Sequence, residues 1–241
     1  GFHKYVRQFK TDDNIGRTHK DHQNLCQLVY QIIAGYFNDN DADELTNEPV
    51  FKNILEKDAL ASQPTLSRFW NRMDEETVSQ FEHIMRSMRS SAYSIQQPEQ
   101  VILDLDSTLL NTYGSQEGEG FNYHYQAHGY HPLLCYDGLT GDLLKSELRD
   151  GTTYCCNGAV DFMQPLLNEY QEKYPDIKLF IRGDSGFAAP DLFKQCETNG
   201  VSYAIRLKAN KVLYAHAKHL EDEIAEATKK NMIDYVVRYD E

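Results

Sequence analysis

Two aspartates at the ends of predicted strands could share one site. Residues 101–106 form a short apolar run with acids at alternate positions, so as a strand they place Asp104 and Asp106 on one side. Asp184 follows a second predicted strand, residues 177–182, and strand ends in an α/β sheet open onto its binding crevice. Divalent cations such as Mg²⁺ need only one or two protein carboxylates beside substrate phosphates, so Asp106 and Asp184 could together form a metal site.

Each aspartate could instead have only a structural role, because aspartates at strand ends also cap helices or lie in solvated loops. The surroundings of Asp184 favour a site. Its segment Arg182-Gly-Asp-Ser-Gly186 has a glycine on either side, and glycines let a backbone approach a ligand closely. We therefore predict that Asp106 and Asp184 act together.

The second half of the chain has the pattern of an α/β domain. Strands are predicted at residues 131–137 and 142–148 around a hairpin turn, at 177–182 and at 201–207. Helices are predicted at residues 159–174 and from Pro190 to Gly200. The order strand, hairpin, helix, strand, helix, strand indicates a mixed sheet with flanking helices.

The first half has the pattern of an all-helical region. Residues 20–37 space Leu25, Leu28, Val29, Ile32, Ile33 and Tyr36 at intervals of three and four, which predicts one buried stripe. Further helices are predicted at 50–55, after Ser62, and at 74–93. We divide the chain into a helical region at 1–95, a candidate for DNA binding, and a domain at 96–241.

Composition excludes several classes of protein. The 241 residues are 41% hydrophobic and 25% charged, as in soluble globular proteins, and no apolar run approaches the length of a membrane span. Five cysteines without CxxC spacing argue against a disulfide framework and favour a reducing cytoplasm. A net charge of −13, divided −4 and −9 at residue 100, counts against nucleic acid unless local basic patches exist.

Several motifs together resemble one known family. The segments LDLDST, YGSQEG, GYHPLLCYDGLTGDLLKSELRDG, NGA, IRGDSGF and YAIRLKAN occur in this order. They are similar to the DDE-type transposases of bacterial insertion sequences, most of all to the group numbered thirteen-eighty. GYFNDNDADEL and SQPTLSRF resemble the amino-terminal region of that group, so the resemblance covers nearly the whole chain.

The resemblance implies an RNase H-like catalytic domain and metal-dependent cleavage of transposon ends followed by strand transfer. It makes Asp106 the first catalytic acid, with Asp104 as the alternative to Asp106, and Asp184 the second. The implied cofactor that these acids ligate is Mg²⁺, or Mn²⁺ in its place. The family's third acid is a Glu on a helix further downstream. Glu221, Glu223 and Glu226 follow YAIRLKAN too closely for that pattern. We therefore expect the chain to end before the third acid and to lack cleavage activity alone.

DNA is the expected partner, as transposon terminal inverted repeats and as target DNA. Alternation in the last predicted strand would place Arg206 and Lys208 on one face, near Asn210 and Lys211. A charged, solvated edge strand is the competing interpretation. SQPTLSRFW could be a recognition helix that exposes Gln63, Thr65, Ser67, Arg68 and Arg72, although short helices of this composition often only pack in cores.

Other functions stay open at this point. Asp104-Leu-Asp-Ser-Thr also matches the DxDxT motif of haloacid-dehalogenase-like phosphatases, in which Asp104 would be the nucleophile and Asp106 the general acid/base. A catalytically inactive, DNA-binding transposase relic is the second alternative. His124, His128 and His131 could bind zinc, but their spacing and the interleaved tyrosines favour a polar, aromatic surface near the site.

The resemblance also suggests where the protein acts. Transposases of this kind work as synaptic dimers, so we expect a homodimer on DNA and no membrane partner. The expected location is the bacterial cytoplasm, in association with the nucleoid.

Overall fold

The chain divides into two compact units. The computed structural model describes residues 1–13 and 15–229, and the division falls between Gly1–Pro98 and a second unit that begins at Glu99. The last helix of the first unit ends at Ile95, the residue at which we predicted that the helical region ends. Residues 230–241 of the predicted second domain lie outside the described residues.

The first unit is helical throughout its described part. Its helices are α1 His3–Val6, α2 Asp21–Ile33, α3 Asp41–Glu44, α4 Pro49–Leu55, α5 Gln63–Trp70 and α6 Glu75–Ile95. Asp74 caps α6 in a capping box with Thr77, and Glu48 accepts a hydrogen bond from Phe51 N at the start of α4. Leu25, Phe51, Leu66 and Phe69 lie in its apolar core.

The buried stripe predicted for α2 is only partly correct. Leu25 and Leu28 are buried, but the helix ends at Ile33, and Ile32, Ile33 and Tyr36 are exposed. The buried face of α2 instead includes Gln27, whose amide exchanges two hydrogen bonds of 2.8 Å with the backbone of Ala61. Helical spacing predicted the helix correctly. It could not show that Gln27 is buried, because that burial depends on hydrogen bonds to a distant part of the chain.

A buried ion pair joins the start of α2 to the end of α5. Asp21 is fully buried and accepts hydrogen bonds of 2.8 Å from both Thr11 N and Thr11 Oγ1. Arg72 Nη2 donates to the other carboxylate oxygen at 2.6 Å. Because both oxygens of Asp21 have partners, the charge is compensated without water.

The second unit is built on a five-stranded mixed sheet. Its strands are β1 Gln100–Ser107, β5 Leu133–Asp137, β6 Leu143–Glu147, β7 Lys178–Gly183 and β8 Ser202–Ile205, in the order β6-β5-β1-β7-β8. β1 and β5, and β5 and β6, are antiparallel, whereas β1 pairs with β7 and β7 with β8 in parallel.

Two helices complete the core of this sheet. Val101, Leu103 and Leu105 alternate along the buried side of β1. α7 Ala159–Lys173 and α8 Pro190–Thr198 bury apolar side chains such as Met163 and Leu192. The helix α9 Lys211–Lys229 follows β8. The mixed α/β architecture with flanking helices is confirmed.

The segment that connects β1 to β5 in the sequence forms a small antiparallel sheet, which was not predicted. It consists of β2 Leu110–Asn111, β3 Gly120–Asn122 and β4 Ala127–Tyr130, in the order β2-β4-β3. The loop after β6 packs closely on it, because a Cβ at Gly151 would lie 2.3 Å from the carbonyl oxygens of Gly120 and Gly129. Strands of two to four residues are too short to give a clear alternation in the sequence.

The helices found in the described part of the chain are all too short or too polar to cross a bilayer. This agrees with the absence of a long apolar run in the sequence.

The buried Asp21–Arg72 pair generates a stability prediction. We expect Asp21→Ala to lower the free energy of unfolding by about 3 kcal/mol, because it leaves a buried guanidinium without its counter-charge. Asp13→Ala is the matched control, since its ion pair with Arg17 is exposed and worth at most about 1 kcal/mol. Urea denaturation followed by the fluorescence of Trp70, the single tryptophan, measures both changes. Equal losses for the two variants would contradict the prediction.

Candidate active site

Parallel pairing of β1 with β7 brings the two predicted acids side by side. In the register of this pair, Asp104 lies opposite Arg182 and Leu105 opposite Gly183. Asp106 and Asp184 are the next residues on the two strands. Both side chains line one pocket of about 510 Å³ at this edge of the sheet.

Each carboxylate is held through one oxygen. Asp106 Oδ1 accepts a hydrogen bond of 2.7 Å from Ser107 N, and Asp184 Oδ1 accepts one of 2.8 Å from Gly186 N at the start of a 3-10 turn, Ser185–Phe187. In the described part of the chain, neither Oδ2 accepts a hydrogen bond. Gly186 is required here, because a Cβ would lie 2.9 Å from Asp184 Oδ1.

The pocket could hold a metal ion beside the two acids. Among the described residues, no three histidine, cysteine or acidic side chains converge as a complete metal site. Magnesium often uses only one or two protein carboxylates and completes its coordination with water and substrate phosphates. Asp106 and Asp184 fit that requirement, since each presents an oxygen to the pocket.

Asp104 is in a different situation from Asp106. Both its oxygens accept hydrogen bonds from Arg182, from Nε at 2.9 Å and from Nη2 at 2.5 Å. This bidentate pair raises the pKa of Arg182, first through the hydrogen bonds to Asp104 and then through its charge. A nucleophile or metal ligand needs a lone pair that is free to react. The pairing argues against the phosphatase assignment and against Asp104 as the alternative to Asp106.

Aromatic side chains form one wall of the pocket. Tyr123, His124 and Tyr125 lie in the turn between β3 and β4, and Tyr154 lies in the loop after β6. Asn122 fixes this turn, because its buried Oδ1 accepts from His124 N and Tyr125 N while its Nδ2 donates to Gly151 O. The predicted polar, aromatic surface therefore does lie beside the acids.

The three histidines of that segment have separate surroundings. His131 is buried, with Nε2 3.1 Å from Ser107 Oγ and Nδ1 2.8 Å from Thr153 O. His128 Nδ1 lies 3.4 Å from Glu119, and the His124 ring packs edge-on against Tyr125. These different partners do not support a shared zinc ion.

Sequence reasoning missed the buried network behind the pocket. Ser107, His131 and Arg149 are all buried polar residues, and Arg149 donates to Ser107 Oγ at 3.1 Å. Cys155 packs next to Gly186, and burial, followed by the charge of Asp184, raises the pKa of its thiol. A signal was present, since Arg149 lies in the motif SELRDG, but spacing alone could not show that this arginine faces inward.

The residues near the end of β8 that were predicted to contact DNA do not lie together on one surface. Lys208 lines the pocket with the two acids, whereas Arg206 lines a different cavity beside α9. β8 ends at Ile205, so the alternation used to place Arg206 and Lys208 on one face does not apply. Asn210 Oδ1 accepts a hydrogen bond from Leu213 N at the start of α9, which begins at Lys211.

The proposed recognition helix is also only partly exposed. Arg68 lies on α5 and is exposed, as predicted, but Arg72 follows the helix and is bound to Asp21, Thr11 and the Arg68 carbonyl. The expectation that Arg72 is exposed to contact DNA is wrong, because its charge compensates a buried carboxylate.

The glutamates of α9 do not join the acids. Glu221, Glu223 and Glu226 are exposed, and none lines the pocket that contains Asp106 and Asp184. The identity of the third acid stays a prediction.

Comparison with known proteins now identifies the family. The profile of the family Transposase DDE domain group 1 matches residues 2–241. The chain belongs to this DDE transposase family, and its function is DNA transposition. The five-stranded mixed sheet with its flanking helices lies within the matched DDE domain.

The solved structures matched to this chain include transposases. The crystal structure of the catalytic domain of Mos1 mariner transposase is 13% identical, with a TM-score of 0.34 over 69% of this chain and 77% of that one. The Mos1 transposase paired-end complex with left transposon end is 13% identical, with a TM-score of 0.32 over 90% and 74%.

A piggyBac transposase synaptic complex with hairpin DNA is 14% identical, with a TM-score of 0.39 over 87% of this chain and 47% of that one. No curated protein sequence matches the chain.

The different surroundings of Asp104 and Asp106 generate a second prediction. We expect Asp104→Asn to lower the free energy of unfolding by about 1 kcal/mol, because it removes the charge of a bidentate ion pair. Asp106→Asn should change stability less than Asp104→Asn, because Asp106 has no ion pair in the described part of the chain and accepts one backbone hydrogen bond. Chemical denaturation in low salt without divalent cations measures both. A larger loss for Asp106→Asn than for Asp104→Asn would contradict this assignment.

Proposed function

We propose that Asp106 and Asp184 hold Mg²⁺, or Mn²⁺, for metal-dependent cleavage of transposon ends and strand transfer. The observation that carries the proposal is their placement on adjacent parallel strands, with both carboxylates lining one pocket. When bound there, divalent cations would activate a water or a DNA 3′-hydroxyl and stabilise the leaving oxygen of an in-line displacement.

The residues of the chain prepare the pocket for a phosphodiester. The backbone N–H groups of Ser107 and Gly186 fix one oxygen of each acid, which leaves the other oxygen directed to a ligand. Lys208 adds a positive charge to the same pocket and can attract the DNA backbone. A downstream Glu remains our proposal for the third acid.

The finer assignments are proposals that rest on the motif resemblance. We place the parent element in the insertion-sequence group thirteen-eighty, which is bacterial. We also propose that the protein acts in the cytoplasm on nucleoid DNA, as a homodimer that binds terminal inverted repeats and target DNA.

Direct metal binding tests the acid assignment. We expect the full chain to bind Mn²⁺, and Asp106→Asn or Asp184→Asn to weaken binding at least about 10-fold, because each removes one carboxylate ligand. Asp104→Asn is the matched control and should bind Mn²⁺ like the unmodified chain. Titration calorimetry or the electron paramagnetic resonance of free Mn²⁺ gives the affinities. If Asp104→Asn loses binding while Asp106→Asn retains it, the assignment is wrong.

The helical unit has a basic face that fits DNA despite the negative net charge. Residues 1–20 contain five basic and two acidic residues, whereas residues 38–58 contain two basic and seven acidic residues. Two neighbouring pockets share Gly16 and Arg17. We call the surface around them the amino-terminal basic face, and it comprises Arg7, Lys10, Arg17, Lys20 and Arg68.

Two histidines lie at this face. Burial, followed by the charge of Lys57, lowers the pKa of His19. Burial and then the charge of Lys20 lower the pKa of His22, and Asp21 opposes this shift. Several cations around one pair of pockets suit a surface that receives phosphates. We propose that this face contacts the DNA backbone.

The salt dependence of DNA binding tests the basic face. We expect the double variant Lys20→Gln/Arg68→Gln to bind duplex DNA more weakly and to reduce the slope of log K against log salt by about 2, or about 1 per lost phosphate contact. Lys178→Gln/Lys194→Gln removes the same charge from exposed positions of the second unit and should keep the slope. Fluorescence anisotropy in EDTA excludes metal bridging. Equal slopes for both double variants would contradict the proposal.

A further inference from the structure

Arg149 is a buried cation behind the acid pocket. It is 8% exposed and follows β6. Its guanidinium donates to four oxygens: Nε to His131 O at 3.1 Å, Nη1 to Cys155 O at 3.2 Å and Asn157 O at 2.6 Å, and Nη2 to Ser107 Oγ at 3.1 Å. None of these partners is a carboxylate. A permanently charged group is therefore buried here on neutral oxygens alone.

One side of this guanidinium is connected to the first acid. Ser107 Oγ accepts from Arg149, donates to Pro132 O at 2.9 Å and lies beside the His131 ring. The backbone N–H of the same serine donates to Asp106 Oδ1 at 2.7 Å. Arg149 therefore anchors the residue whose backbone holds the Asp106 carboxylate.

The other side is connected to the second acid. Nη1 binds the carbonyls of Cys155 and Asn157, and so fixes the loop that carries Cys155. The Cys155 side chain packs at Gly186, where an added Cβ would lie 3.0 Å from Sγ. Gly186 N is the donor to Asp184 Oδ1. The Arg149 guanidinium thus supports Asp106 through Ser107, and it supports Asp184 through Cys155 and then Gly186.

We propose that Arg149 is a positioning residue of the metal site, which sets the relative placement of the Asp106 and Asp184 carboxylates. This inference rests on the proposed function of those two acids as metal ligands. The forked shape of the guanidinium is essential for this role, because its N–H groups point in different directions. They bind Ser107 on one side and the loop that carries Cys155 on the other. A lysine ammonium is a point charge on a flexible stem and cannot bind both segments in the same way.

Mn²⁺ binding separates this role from a purely structural one. We expect Arg149→Lys to keep the fold and to weaken Mn²⁺ binding roughly 10-fold, because groups that orient metal ligands affect affinity on this scale. Arg86→Lys, in the helical unit, is the matched control and should retain the affinity of the unmodified chain. Anisotropy with duplex DNA in EDTA should be unchanged in both variants, since the amino-terminal basic face is intact.

A lower melting temperature alone would not support the proposal. A folded Arg149→Lys variant that binds Mn²⁺ like the unmodified chain overturns it. If Arg149→Lys does not fold, Ser107→Ala removes the hydroxyl that links Arg149 to the first acid, together with its contacts to Pro132 and His131, and leaves the link to the second acid. Weaker Mn²⁺ binding by folded Ser107→Ala supports the inference, and unchanged binding overturns it.

Asp106→Asn is the reference variant that distinguishes failure of the positioning role of Arg149 from failure of metal binding by the two acids. If Asp106→Asn weakens Mn²⁺ binding and Arg149→Lys does not, only the positioning role fails. If Asp106→Asn binds Mn²⁺ as well as the unmodified chain, the proposed function fails, and the inference about Arg149 fails with it.

Discussion

The parallel pairing of β1 with β7 is the constraint on which the candidate site depends. Its register places Asp106 and Asp184 at neighbouring positions, so two negative charges are held together where the sheet ends. Neighbouring like charges are favoured when a cation or hydrogen-bond donors compensate them. The rest of the pocket meets this requirement with the backbone N–H groups of Ser107 and Gly186 and with the charge of Lys208.

Much of this arrangement could be predicted from the sequence, because periodicity and strand ends are local signals. The five strands of the main sheet, α7, α8 and the position of both acids followed from such patterns. The ion pair between Asp104 and Arg182 was missed, since it depends on the register of β1 against β7, which the sequence does not show. The inward orientation of Arg149 was missed because it depends on contacts with distant segments. The small sheet β2-β4-β3 was missed because its strands are too short to show an alternation.

The net charge of −13 does not describe each surface of the protein, because it averages over regions of different local charge. The helical unit segregates its charges, with Arg7, Lys20 and Arg68 near one pair of pockets and a run of acids at residues 38–58. A surface of this kind attracts a polyanion locally while the acidic remainder repels it. The buried pair of Asp21 and Arg72 holds α2 against the end of α5 and so helps to define this surface.

The long sequence separation between the two acids has a consequence for synthesis of the protein. A ribosome must add β7 before Asp106 gains its neighbour, and the intervening chain includes the small sheet, the β5–β6 hairpin and α7. Closing so long a segment carries an entropic cost, and non-local pairing of strands is slow compared with helix formation. The helical unit precedes the sheet in the chain and is rich in local contacts, so it can form before the acid pair exists.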